Sequence, residues 1–146
     1  MASSTSPAAA PPVDGAEIMR QFLPASPFVG HLGIRLVELS ADRAVLEMPF
    51  RPELATLANT VHGGALAALL DTTAMAASWS GAVVPTTLRG STVSLTVNYL
   101  RPADGEDIQA VGRLLRRGRK LTSVDVEAAT PAGDLVAKAL VVYQLG

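Results

Sequence analysis

The chain has 146 residues, 49% of them hydrophobic and only 4% aromatic, with a net charge of −1. That length holds one domain whose core is built from small aliphatics, and so small a charge gives no general pull toward nucleic acid or a membrane surface. The lack of cysteine excludes disulfides, thiolate metal sites and a cysteine nucleophile; the two histidines, His31 and His62, have no second histidine at ligand spacing, so no zinc site is expected.

Residues 1–15 are rich in Ala, Ser and Pro and lack the basic start and apolar core of a signal peptide. They predict a disordered or loosely ordered arm ahead of a single domain over 16–146, with the cytoplasm as the default location. Residues 16–23 predict a short helix ended by Pro24, and 26–31 an irregular link in which His31 is a surface or packing residue. Strands are expected over 33–39 and 43–50, joined at Ser40-Ala41-Asp42 and closed by Arg51-Pro52. Residues 53–60 read as a loop that delivers the chain to His62.

Val61-His62-Gly63-Gly64 then opens a run of Ala and Leu that continues to Trp79 without a proline. Good helix formers and apolar residues around nearly the whole circumference predict a buried central helix. At about 18 residues it is near the lower limit for a membrane span, but Asp71 at its centre and the strand-rich sequence beyond favour a core helix. Asp71 is the anomaly, because a buried carboxylate is costly unless paired or hydrogen-bonded. It reads as an N-cap for a second short helix starting at Thr72, as a carboxylate held by nearby hydroxyls, or as a catalytic carboxylate in a cleft.

A link over 81–89 leads to four strands, 91–100, 107–115, 121–129 and 135–145. In the first, Val93, Leu95, Val97 and Tyr99 alternate with Thr92, Ser94, Thr96 and Asn98, giving one apolar and one polar face. Turns at 102–105, 116–119 and 131–134 are short, which implies antiparallel neighbours. The order is two strands, one long helix and four strands. It predicts an α+β fold in which a curved, mostly antiparallel sheet wraps the central helix and buries it on all sides.

At these residues the sequence resembles the hotdog-fold acyl-CoA thioesterases of the phenylacetate-pathway (PaaI-like) type. The resemblance rests on Val61-His62-Gly63-Gly64 with Asp71 nine residues after the histidine. It also rests on 90–100 followed by Arg101-Pro102-Ala103, and on Arg116-Arg117-Gly118-Arg119-Lys120. It covers 28–145, and its strand order agrees with the one read from the pattern. It implies hydrolysis of an acyl-CoA thioester with no bound cofactor and no metal. The Gly63 N–H would polarise the carbonyl. That role also follows from the free N–H groups and positive dipole end of a helix N-terminus, where glycines let substrate approach. Asp71 would be a general base or a nucleophile. His62 would orient the loop or the substrate, or simply bond to backbone.

Thr56 stands where many members of that family carry an asparagine, with Asn59 three residues nearer the histidine. Thr92 stands where many carry a serine close to the carboxylate. Gly64, Thr56 and Asn59 are candidate substrate contacts. Arg117, Gly118, Arg119 and Lys120 form a basic turn suited to coenzyme A phosphates, since guanidinium groups bind phosphate in bidentate fashion. Without interleaved aromatics, nucleic acid is a poor fit. Gly63 and Asp71 lie roughly 12 Å apart on one helix at about 1.5 Å per residue, too far to serve one carbonyl. If both act, each must meet the other's partner across a two-fold axis, which predicts at least a homodimer; a homotetramer is the expected fuller assembly, with the way dimers pair left open by the sequence. The alternatives are a non-catalytic acyl-CoA-binding module of the same fold and, behind it, a hydratase or dehydratase. The last would pair an Asp with a His a few residues downstream, and no histidine follows Asp71.

Overall fold

The structure, a computed structural model, describes residues 14–146. The expected arm falls outside the described residues except for its last two. Asp14 caps the first helix, α1 (Gly15–Ala25), by accepting the Glu17 N–H at 2.7 Å, and Gly15 begins it. Pro24 does not end α1 but lies in its last turn, where one lost backbone bond costs least. The expected link after it is a second helix, α2 (Pro27–Leu32). Pro27 suits a first helical position, and Gly33 closes the helix at φ +70°. His31 is exposed in its last turn.

Strands β1 (Arg35–Ser40) and β2 (Arg43–Met48) form a hairpin. The segment expected as a loop is more regular. A 3-10 turn (Pro52–Leu54) precedes a small hairpin of β3 (Ala55–Leu57) and β4 (Thr60–Val61), turned by Ala58 at φ +51°. Then comes α3 (Gly63–Ser80), followed by β5 (Gly90–Tyr99), β6 (Ile108–Arg117), β7 (Leu121–Ala129) and β8 (Leu135–Leu145). The six long strands make one antiparallel sheet in the order β1-β2-β6-β7-β8-β5.

The sheet lays Ala44, Leu46, Met48, Ile108, Ala110, Val124, Val126, Ala139 and Val141 against α3, all buried. Gly112 lets the helix come close, since a Cβ there would lie 3.1 Å from the Thr73 methyl. α1 covers the far end so closely that a Cβ on Gly15 would meet the Trp79 carbonyl oxygen at 1.8 Å. Leu69 and Leu70 are wholly buried, each contributing about 1.5–3 kcal/mol by leaving water.

The helix is not covered on every side. Ala67, Ala68, Asp71, Thr72 and Met75 are half-buried and Gly64 is exposed. At helical spacing these residues form one open stripe that the described residues do not cover. Among the described residues no helix is long and apolar enough to cross a membrane.

Candidate active site

His62 is the N-cap of α3 and accounts for nearly every donor at the start of the helix. Its own N–H donates to the Leu54 carbonyl at 2.7 Å. Its Nδ1 accepts the Gly64 N–H at 2.7 Å, and its carbonyl accepts from Ala65 at 3.0 Å and Leu66 at 3.1 Å. Of the first-turn donors, the Gly63 N–H is left without a partner among the described residues. That amide shares a peptide unit with the His62 carbonyl. Two N–H groups on the carbonyl polarise the unit and strengthen its N–H as a donor. His62 therefore bonds to backbone, but it is exposed rather than packed.

The Tyr99 hydroxyl donates to the Gly63 carbonyl at 2.7 Å, and a Cβ on Gly63 would lie 3.3 Å from the ring. Thr56 lines the same open cavity of about 440 Å³ with Gly63, Leu66 and Tyr99. Asn59 does not line it: its carbonyl accepts the Gly105 N–H at 2.8 Å, and its side-chain amide faces Gly105. Gly64 opens instead onto a smaller hollow shared with His31, Arg51 and His62.

Asp71 belongs to the second half of one continuous helix, so it caps no second helix. Thr72 and Thr73 turn their hydroxyls back to the Ala68 and Leu69 carbonyls, each at 2.7 Å. The hydroxyl that holds Asp71 comes from β5, where Thr92 donates to Oδ1 at 2.6 Å. Oδ2 is free of hydrogen bonds among the described residues, and the carboxylate is half-buried rather than sealed in the core.

Beyond Asp71 the helix carries Met75 and Trp79 into a largely apolar cavity of about 640 Å³, closed by Ile18, Met19 and Phe22 of α1 and by Tyr143. The Trp79 indole N–H donates to the Tyr143 hydroxyl at 3.1 Å, which satisfies the indole donor at the floor. Burial pushes the Tyr143 phenol pKa above its ordinary value; the Trp79 bond opposes this and the nearby Asp71 charge adds to it.

The basic turn divides in two. Arg117 is the last residue of β6, and its Nη2 donates to Asp42 Oδ1 at 2.7 Å and to the Ser78 carbonyl at 3.0 Å. It ties the β1–β2 turn to the end of α3. Arg116, Gly118, Arg119 and Lys120 line a surface hollow of about 530 Å³. None of these three cations has a carboxylate within ion-pair distance among the described residues. The Lys120 carbonyl accepts the Leu145 N–H at 2.9 Å, and Leu145 stands opposite Gly90. The turn thus lies at the Asp71 end of β5. No cluster of three metal-ligating side chains occurs among the described residues.

The candidate residues therefore form two groups along α3 and β5. Gly63 with His62, Thr56 and Tyr99 lies at one end, and Asp71 with Thr92 at the other. Tyr99 joins the first group without any motif to announce it; it is one member of an alternating strand.

A family described as a domain of unknown function (DUF4442) matches residues 15–144. Human acyl-coenzyme A thioesterase 13 is 30% identical over 136 residues, covering 89% of this chain and 93% of that protein. The medium/long-chain acyl-CoA thioesterase YigI of Escherichia coli K12 is 29% identical, covering 82% of this chain and 86% of its own. A mutant of the phenylacetic acid degradation protein PaaI from Thermus thermophilus superposes with a TM-score of 0.73 at 26% identity, over 83% of this chain and all of that one.

Proposed function

The chain belongs to the hotdog-fold thioesterase family, and from that premise we propose that it hydrolyses an acyl-CoA thioester to the free acid and coenzyme A. The observation that carries this reading is the Gly63 amide, the one first-turn donor of α3 that His62 leaves open. A single polarised N–H at a helix N-terminus suits the lone oxygen of a thioester carbonyl as it gains charge. Asp71 supplies the electron pair, either by deprotonating water or by attacking the carbonyl carbon itself. Thr92 holds Oδ1 and leaves Oδ2 to react. On the first route the proton held by Asp71 passes to the coenzyme A thiolate as the tetrahedral intermediate collapses; on the second the thiolate leaves an acyl–Asp71 anhydride, which water then hydrolyses to the free acid.

Tyr99 and Thr92 place Gly63 and Asp71 at opposite ends of β5, which is a sheet edge. A two-fold axis near Leu95 and Thr96, pairing β5 with its antiparallel copy, would bring the Thr92 end of one strand beside the Tyr99 end of the other. Asp71 would then meet Gly63 of the partner subunit, and the open stripe of α3 would lie in the same seam. The working unit in this reading is a cytoplasmic homodimer with two equivalent sites, able to pair into a tetramer.

The cavity between α1 and α3 begins one turn past Asp71 and suits an aryl or medium-chain acyl group. Arg119 and Lys120 are the proposed phosphate contacts for coenzyme A, with Gly118 keeping the turn tight; Arg117 reaches that role only by giving up Asp42.

The test is thiol release from a panel of acyl-CoA esters, wild type beside Asp71→Asn. Wild type should turn over and the variant should lose about a hundred- to ten-thousandfold while keeping its oligomeric state. Full turnover by the variant would remove Asp71 from the reaction. Binding without release by wild type would make the protein an acyl-CoA-binding module.

A further inference from the structure

We propose that Tyr99 is a positioning residue for the carbonyl-polarising amide, fixing the direction in which the Gly63 N–H points. This rests on the reading of Gly63 given above. Glycine has the freest backbone of any residue, and a first helical position is prone to fray. An amide there donates well only if both flanking peptide planes are held. The plane before Gly63 is fixed through the His62 carbonyl by Ala65 and Leu66. The plane after it is fixed on both sides: His62 Nδ1 takes the Gly64 N–H, and the Tyr99 hydroxyl donates to the Gly63 carbonyl at 2.7 Å. Among the described residues, the last of these is the restraint on the Gly63 planes that comes from outside the loop–helix junction. The ring also packs against Gly63 so closely that an added methyl would lie 3.3 Å from it.

Exposure argues against a plain core role. Tyr99 is 53% exposed, whereas Leu95 and Val97 on the same face of β5 pack onto the core. A half-exposed phenol bonded to a helix-terminal carbonyl adds little to stability, but it sets a geometry. Thr92, seven residues earlier on β5, holds Asp71 by an equivalent hydroxyl bond. One strand therefore positions both reacting ends.

Tyr99→Phe keeps the ring and removes the donor. It should lower kcat about tenfold, as expected for one hydrogen bond that matters mainly in the transition state, with KM and the oligomeric state unchanged. A direct readout uses Asp71→Asn, which should bind acyl-CoA without consuming it. The bound thioester carbonyl stretch should fall relative to free substrate and return part of the way when Tyr99→Phe is added. Site-specific 3-fluorotyrosine at position 99, which keeps both the ring and a donating hydroxyl, should hold the stretch at the value seen with tyrosine. An unchanged kcat with the same carbonyl shift in both backgrounds would overturn the role of Tyr99 while leaving Gly63 as donor. No shift even with Tyr99 in place would instead overturn the Gly63 reading, and the role of Tyr99 with it.

Discussion

Among the described residues, strands β1 and β5 each leave one side without a partner in the sheet, and the two are built differently. β1 has six residues and carries Arg35 and Glu38, which pair with Glu47 at 2.9 Å and Arg43 at 2.5 Å on the neighbouring strand. β5 has ten residues, no charge and no proline, and it exposes Val93 and Tyr99. Charges and short length are how an edge avoids pairing with another chain. β1 has both and β5 has neither, and β5 is also the strand whose hydroxyls hold Gly63 and Asp71. The undefended edge and the candidate chemistry thus coincide.

The largest effect should come from charging that edge. Thr96 stands opposite Leu140, on the face of β5 turned away from α3. Thr96→Lys would put two like charges close to the proposed two-fold axis. The expected result is a monomer by sedimentation, with thioesterase activity reduced more than about a hundredfold because each site loses its partner. Val37→Lys on β1 should change neither. A Thr96→Lys variant that stays dimeric and active would show that β5 is not the seam.

A smaller effect is expected at the basic turn. Arg119→Ala with Lys120→Ala should raise KM for acyl-CoA about tenfold, the size of one lost charge-assisted hydrogen bond. KM for a short thioester lacking the nucleotide should not move. Equal changes for both substrates would make the turn purely structural.

The smallest effect is alkaline. The folded-state pKa of Tyr143 lies above its unfolded value of 10.0, so the stability this group contributes is full below pH 10 and is lost as pH rises through the folded value. Tyr143 stands opposite Thr92 on the neighbouring strand. Melting temperature should therefore hold to about pH 10 and then fall, with β5 amides exchanging faster before those of β1. Tyr143→Phe should flatten that limb.

Much of this edge is legible in the sequence. The alternation from Val93 to Tyr99 marks β5, and the Ala/Leu run marks α3, because both patterns repeat long enough to register. The helix α2, with six residues, and the hairpin of β3 and β4, with two or three per strand, are too short for any periodicity to show. The Thr92–Asp71 contact is suggested by family resemblance alone, since the two residues lie on different elements. Arg117 reads as a member of the basic turn because its partner, Asp42, is 75 positions away. Tyr99 is hidden for the same reason: its hydrogen bond to Gly63 crosses from strand to helix and leaves no local spacing.

The pairing of β2 with β6 has a consequence for how the protein is made. Arg43 meets Arg113 only after α3 and β5 have been synthesised between them. Contacts between distant positions slow folding, and here the delay falls on a helix whose only charge is Asp71. A nascent chain that has emerged only as far as β5 would present α3 without β6, β7 or β8 to cover it. Production of this protein should therefore depend on chaperone supply more than its small size suggests, and truncation before Ile108 should yield aggregate rather than a folded fragment.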